Sequence, residues 1–365
     1  MPNLGFDAAF GNEFEGDTES GRRWTQGFSC LFVLDIMSNL KFLGEIDYRI
    51  VAMSDAEKTV EARKYQTELH CAALVGKIDA AEIEALAEAG YEGVECRVTD
   101  VTLEEAREAR RICEANGIKI HSVMKGAQFN ADDPDQVAEA VKSLKQALRV
   151  ASAYGASTAL VVPGSVAAPA LNPWEFNVKF DPETLMVTQV CEGDNAPFAD
   201  YIAAQNYATT ATQKYLPQVL DAAAYEGVKI GLENVWNNLW CDPQLLAAFI
   251  RSFDNPWVGS YFDLGNYVKF APTVEWLRAL GKGVVVKLHF KDFRVDRSLP
   301  NGGQFVPVGL GSNDWIEIRQ TLDDLEYNGF ATIEFEEQES TKLSHKQQVQ
   351  KFRNFFDGVD ILRGV

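Results

Sequence analysis

Four side chains, each at the end of a short apolar run, have the chemistry of a divalent-cation site. Glu233 closes Val-Lys-Ile-Gly-Leu-Glu (228–233) and Asp263 closes Val-Gly-Ser-Tyr-Phe-Asp (258–263). His289 closes Val-Val-Val-Lys-Leu-His (284–289), and Glu334 closes Ala-Thr-Ile-Glu (331–334). Three carboxylates and one imidazole form a hard to intermediate ligand set. It suits Mn2+ best, accepts Mg2+ or Co2+, and suits Zn2+ less well than several His or Cys ligands would. One such cation holds two neighbouring sugar oxygens and polarises a carbonyl. A single Glu or Asp after a strand is ordinarily a cap or turn residue. Four at successive strand ends carry more weight, because one sheet rim gathers them. Glu336 and Glu337 compete for the last position, and Glu334 is preferred because it ends the apolar stretch that follows Gly329.

Positioning these residues requires a parallel sheet, whose ligands bind beyond the carboxyl ends of the strands. Four more apolar runs precede them, at 69–75, 93–98, 118–123 and 156–162. Helical stretches lie between, ending at Ala89-Gly90, spanning 103–115, and starting after Asp132-Asp133-Pro134; others span about 198–226 and 345–357. Eight strands alternating with helices predict an α/β fold, a (β/α)8 TIM barrel over residues 67–365, after an N-terminal extension at 1–66 whose structure is unassigned. The 365 residues accommodate such a barrel, which takes about 250, with additions. No G-x-G-x-x-G follows the first strand, which argues against a dinucleotide site. The long connection 165–197 holds Trp174, Phe176 and Cys191. Its length predicts a lid or binding loop.

Composition narrows the partners. A formal charge of −19 repels nucleic-acid backbones and anionic membranes. No apolar run reaches the roughly 18 residues that span a bilayer. The six cysteines are scattered without a C-x-x-C pair and read as small buried hydrophobes in a reducing compartment. Arg22-Arg23 before the apolar stretch 27–34 has the look of an export signal, but Asp35 cuts that stretch short and no cleavage site follows. The expected location is therefore cytoplasmic, and Met37 is an alternative start.

The segments Gly-Leu-Glu-Asn-Val-Trp-Asn (231–237), Tyr-Phe-Asp-Leu-Gly-Asn (261–266), Lys-Leu-His-Phe-Lys-Asp-Phe (287–293) and Ala-Thr-Ile-Glu (331–334) resemble the sugar-phosphate isomerase/epimerase family of the xylose-isomerase-like TIM-barrel superfamily. Gly93-Val-Glu95 and Leu160-Val-Val-Pro-Gly164 extend the similarity, which covers roughly 67–360. The resemblance implies a metal-dependent sugar or sugar-phosphate isomerase/epimerase. Glu233, Asp263, His289 and Glu334 would bind one divalent metal. Glu233 and Glu334 would also be the catalytic pair, moving a proton through an enediolate. The chain departs from the ketose epimerases at two places. Asn266 stands three residues after Asp263, where they often carry His. Val295 stands six after His289, where they often carry Arg, although Arg294 is adjacent. The sugar is therefore left open. A metal-dependent dehydratase or lyase on a keto-sugar or keto-cyclitol is the alternative, since it begins with the same enediolate. A multi-metal endonuclease fits poorly with four His and the acidic charge; a non-catalytic sugar-binding subunit is a further reading.

Six further residues are candidates for substrate binding. His121 is expected near the rim on the third strand. Trp174 and Trp236 offer apolar walls, Asn266 a polar contact or a ligand orienter, and Lys291 and Arg294 cations in the seventh βα loop, where barrels often hold phosphate. Asn234 is a second candidate orienter. Gly302-Gly303 and Gly309-Leu-Gly311 suggest a weak phosphate cradle, and Glu95 points into the barrel without an assigned role. The expected partner is a small sugar or sugar phosphate, with a homo-oligomer left open.

Overall fold

The alternation of apolar runs and amphipathic stretches has the expected result in the computed structural model, which describes residues 65–334 and 343–357. Residues 1–64, including Arg22-Arg23, and the competing acids Glu336 and Glu337 lie outside the described residues. The chain runs β1 (Leu69–Val75), α1 (Ala80–Ala89), β2 (Gly93–Cys96), α2 (Leu103–Ala115), β3 (Lys119–Gly126), α3 (Pro134–Tyr154) and β4 (Thr158–Val162). A small hairpin, β5 (Lys179–Phe180) with β6 (Val187–Gln189), then precedes α4 (Ala199–Tyr215) and α5 (Leu220–Glu226). Next come β7 (Lys229–Glu233), α6 (Pro243–Arg251), β8 (Val258–Asp263), α7 (Thr273–Leu280) and β9 (Val285–Phe290). A second hairpin, β10 (Asp292–Val295) with β11 (Gly303–Val306), leads to α8 (Trp315–Asp324), β12 (Gly329–Ile333) and α9 (His345–Phe356).

The strands close in the order β1-β12-β9-β8-β7-β4-β3-β2, and each neighbouring pair is parallel. This is the predicted TIM barrel. Local chemistry sets the helix ends. Asp79 caps α1 by accepting from the Ala81 and Glu82 amides, and Thr102 forms a capping box with Glu105 on α2. The helix expected over 198–226 is split by a 3-10 turn at Leu216–Val219, where Pro217 offers no N–H to continue the α-helical ladder.

Packing differs on the two sides of the sheet. Outward residues are aromatic and aliphatic: Phe262 faces Trp276, while Phe290 meets Trp315, Phe352 and Phe356. Each buried ring contributes roughly 1.5–3 kcal/mol by leaving water. The barrel interior instead holds Glu95, His121, Ser122, Tyr261, His289 and Thr332, all 0% exposed. Gly231 gives these bulky groups space, since a Cβ there would stand 3.0 Å from both Tyr261 and Val286.

Candidate metal centre

Each acidic or imidazole group sits where its strand ends. Glu233 and Asp263 are the last residues of β7 and β8, His289 is the penultimate residue of β9, and Glu334 directly follows β12. Parallel register places these ends side by side: Asp263 is opposite His289, and Thr332 is opposite His289 from the other side. One donor atom from each of the four residues falls within 4.8 Å of all the others. His289 Nδ1 lies 3.0 Å from Glu334 Oε2, 3.5 Å from Glu233 Oε1 and 3.7 Å from Asp263 Oδ2. Asp263 and His289 are fully buried, whereas the Glu334 side chain keeps 24% of its surface and opens the site to solvent.

The surrounding residues fix these groups in place. Asn234 spans to Asp263 twice, donating from Nδ2 to the Asp263 carbonyl and accepting the Asp263 N–H. The Asp263 carboxylate accepts the backbone N–H groups of Gly265 and Asn266 through Oδ1, leaving Oδ2 free. Behind the imidazole, Glu95 Oε2 accepts from His289 Nε2 at 2.9 Å and from the Tyr261 hydroxyl at 2.6 Å. With Nε2 committed to Glu95, Nδ1 faces the three acids. Lys291 Nζ stands 3.5 Å from Glu334 Oε2.

Electrostatics treat Glu233, Glu334 and His289 differently. Burial raises the Glu233 pKa above the ordinary carboxylate value despite the neighbouring His289. Glu334 is also disfavoured by burial, but His289 and Lys291 outweigh this and hold its pKa well below that value. Burial opposes a charge on His289, yet Glu95 and Glu334 prevail and raise it well above the ordinary imidazole value.

A divalent cation fits this arrangement. Asp263 Oδ2, His289 Nδ1 and Glu334 Oε2 are buried atoms with no hydrogen-bond partner. Although the last two are 3.0 Å apart, they do not meet with hydrogen-bond directionality. Orphaned polar atoms in a protein interior are costly. A cation with bonds of about 2.1 Å has neighbouring ligand atoms roughly 3.0–3.4 Å apart. The separations around His289 Nδ1, 3.0 to 3.7 Å, are of that size. A second acid–His group, Glu68, His70 and Glu92, lacks this character. Glu92 is already bonded to His70, the Cys71 amide and Arg353.

The model of a known family, the xylose isomerase-like TIM barrel, matches residues 83–355. The chain belongs to this family. No curated protein matches the sequence, but several solved structures share the fold. One is the IOLI protein with a bound zinc atom, at TM-score 0.59 and 16% identity, covering 80% of this chain and 100% of the other. Another is a D-allulose 3-epimerase from Methylomonas sp. in complex with D-allulose, at TM-score 0.54 and 17% identity, covering 80% and 98%. A third is a 3-keto-D-glucoside 4-epimerase from E. coli, at TM-score 0.57 and 12% identity, covering 79% and 100%.

Within this barrel the remaining candidates separate. Lys291 is brought to the site through Glu334. Trp236 donates from Nε1 to the Asn266 carbonyl at 2.7 Å, packs on Phe305 and carries Lys269 Nζ 3.6 Å from its ring centroid. Asn266 is buried and supports Asp263 through its backbone amide. Trp174 lies in a 3-10 turn of the 165–197 segment beneath Arg297, and Phe176 of that segment packs edge-on against Phe270.

Two expectations and the weak phosphate cradle need correction. His121 is not at the rim. A bulge in β3 pairs Val94 with Ile120 but Glu95 with Ser122, so His121 is the extra residue. It lies in the core, stacked on Phe330 with Nε2 3.1 Å from Thr332 Oγ1, and burial keeps it neutral. Arg294 is exposed on the β10–β11 hairpin, which turns the chain away after Asp292. The Gly309 and Gly311 amides do form an anion cradle, but Asp292 Oδ2 fills it. The main role missed is that of Glu95, which the sequence reading placed inside the barrel without assigning it a task. Its signal was a carboxylate inside the four-residue strand Gly-Val-Glu-Cys, all of it buried, which demands a partner.

Proposed function

We propose that this protein is a metal-dependent sugar isomerase or epimerase that moves a carbon-bound proton of a 2-oxo sugar between Glu233 and Glu334. The observation that carries this reading is the convergence of four donor atoms within 4.8 Å, three of them without hydrogen-bond partners. A divalent metal, when bound, supplies Lewis acidity that acidifies the carbon beside a coordinated carbonyl. Asp263 and His289 are held by Asn234 and Glu95, so their part is to hold. Glu233 ends β7 and Glu334 follows β12, so their carboxylates reach the centre from different parts of the rim. Two bases approaching one carbon from different directions permit removal of a proton from one face and return to the other. Lys291, 3.5 Å from Glu334, would steady an oxyanion of the substrate. The sugar names of the solved relatives support a carbohydrate substrate. Cys71, Cys96, Cys113, Cys191 and Cys241, buried and not joined in disulfides, support a reducing, cytoplasmic setting.

The test is a screen of ketoses, aldoses and their phosphates in deuterated water by NMR. Deuterium at C3 of a ketose identifies a 3-epimerase, and deuterium at C1 or C2 an aldose–ketose isomerase. Glu233→Gln and Glu334→Gln should each lower exchange by roughly 10²–10⁴-fold, with metal content measured in the same samples. Interconversion without any incorporation would exclude the two-carboxylate scheme, and release of water or a fragment would indicate a lyase.

A further inference from the structure

The opposite end of the barrel carries charges that the metal centre does not use. A cavity of about 390 Å3 opens there, lined among others by Ser157, Thr158, Lys229, Trp257, Lys287 and Tyr327. Lys229 is the first residue of β7, four before Glu233, and Lys287 lies two before His289 in β9. At about 3.3 Å per residue, these positions are roughly 7–13 Å down their strands from the metal ligands. Lys119, the first residue of β3, stands at the same end.

Lys287 is the decisive residue. It is only 8% exposed, and its Nζ lies 5.2 Å from the Phe330 ring centroid. Lys142, Lys282 and Lys291 have carboxylate partners, but Lys119, Lys229 and Lys287 form no ion pair among the described residues. Glu326 also lines the cavity, yet it is matched by Lys282 at 2.6 Å. A buried ammonium with no carboxylate in contact, and only the more distant charge of Glu95 acting on it, is costly. It is all the more notable in a chain with a net charge of −19, where acids are plentiful. Helix C-termini explain cations just after Gly227 or Gly117, since they carry partial negative charge. They do not explain Lys287, which is inside a strand.

We propose that this cavity binds the phosphate group of a small organic phosphate monoester, with Lys287 and Lys229 holding the dianion and Trp257 and Tyr327 walling its organic part. Lysines act as point-charge phosphate binders. The volume falls in the range of small-molecule sites and exceeds what a bare phosphate fills. The site is remote from the metal, so it stands whether or not the proposed isomerase activity does.

Calorimetric titration of the metal-loaded full chain with inorganic phosphate and with glycerol 3-phosphate tests this. Both should bind, glycerol 3-phosphate more tightly. Lys287→Met should weaken both by about tenfold or more, the loss of one charge-assisted contact. Lys291→Met, beside the metal centre, should leave this binding event in place. Lys229→Glu reverses a charge at an exposed position, so it tests the site even if Lys287→Met does not fold, and it should weaken both ligands at least as much. Unchanged affinity in Lys229→Glu, or loss of binding in Lys291→Met alone, overturns the proposal. Equal affinity for the two phosphates overturns the monoester assignment.

Discussion

Replacing Glu95 by Gln isolates the support behind the candidate metal centre. Glu95 Oε2 receives His289 Nε2 at 2.9 Å and the Tyr261 hydroxyl at 2.6 Å, and all three residues are 0% exposed. Gln keeps the length and one acceptor but removes the charge. A hydrogen bond to a charged group contributes about 1.5–3 kcal/mol and a neutral one about 0.5–1.5. The difference per bond is then about 1–1.5 kcal/mol, or 2–3 kcal/mol over two bonds. Loss of a carboxylate that orients a metal-bound histidine lowers metal affinity by about 10- to 100-fold, which is about 1.4–2.8 kcal/mol. The bond to His289 alone, about 1–1.5 kcal/mol, falls at the lower end of that range. Competition for Mn2+ against a chromophoric chelator should therefore show Glu95→Gln weakened by that factor, with circular dichroism unchanged. Tyr261→Phe leaves the His289 contact in place and should cost less. Affinity in Glu95→Gln within about twofold of the parent, or a greater loss in Tyr261→Phe, would refute the reasoning.

Three other outcomes follow from the same structure. The raised His289 pKa favours the protonated imidazole in the metal-free protein, so metal entry at Nδ1 expels a proton and affinity should rise with pH. Calorimetry in buffers of different ionisation enthalpy measures this, and zero release at pH 7 would count against His289 as a ligand. Asn234→Ala strips the Asp263 N–H and carbonyl of their side-chain partner inside the protein, so urea unfolding should show a loss of about 2–4 kcal/mol; a loss near zero would mean that water replaces Asn234. Asp323 is opposed by burial, but hydrogen bonds from Thr67 and Gln66 and the charge of Arg319 lower its pKa. Its contribution is therefore complete above the unfolded value of about 3.9 and disappears as pH falls through the lower folded value. Asp323→Asn should lower stability at neutral pH and flatten the acid limb of the stability curve, and an unchanged limb would rule out this tether.

Acidic strand ends were legible because a barrel strand is a short apolar run, and a carboxylate at its end can only lie at the rim. The same pattern reading failed at His121, because a bulge is one extra residue whose presence depends on the neighbouring strand, β2. It failed at Arg294, because the β10–β11 pairing that carries this residue away is made with residues 303–306. It also failed at Gly309 and Gly311, whose amides are taken by a carboxylate 17 and 19 residues earlier in the chain.

By itself the sequence determined the barrel and named four residues that the fold gathers within 4.8 Å, since both depend on periodicity and on residue type at strand ends. Tertiary structure decided how those atoms are held. Glu95 is separated from His289 by 194 residues and Asn234 from Asp263 by 29, and nothing local in either stretch names its partner. Hydrogen bonds act over about 3 Å in space, so only closure of the barrel, which brings β2 across from β9, determines that a buried carboxylate orients the imidazole.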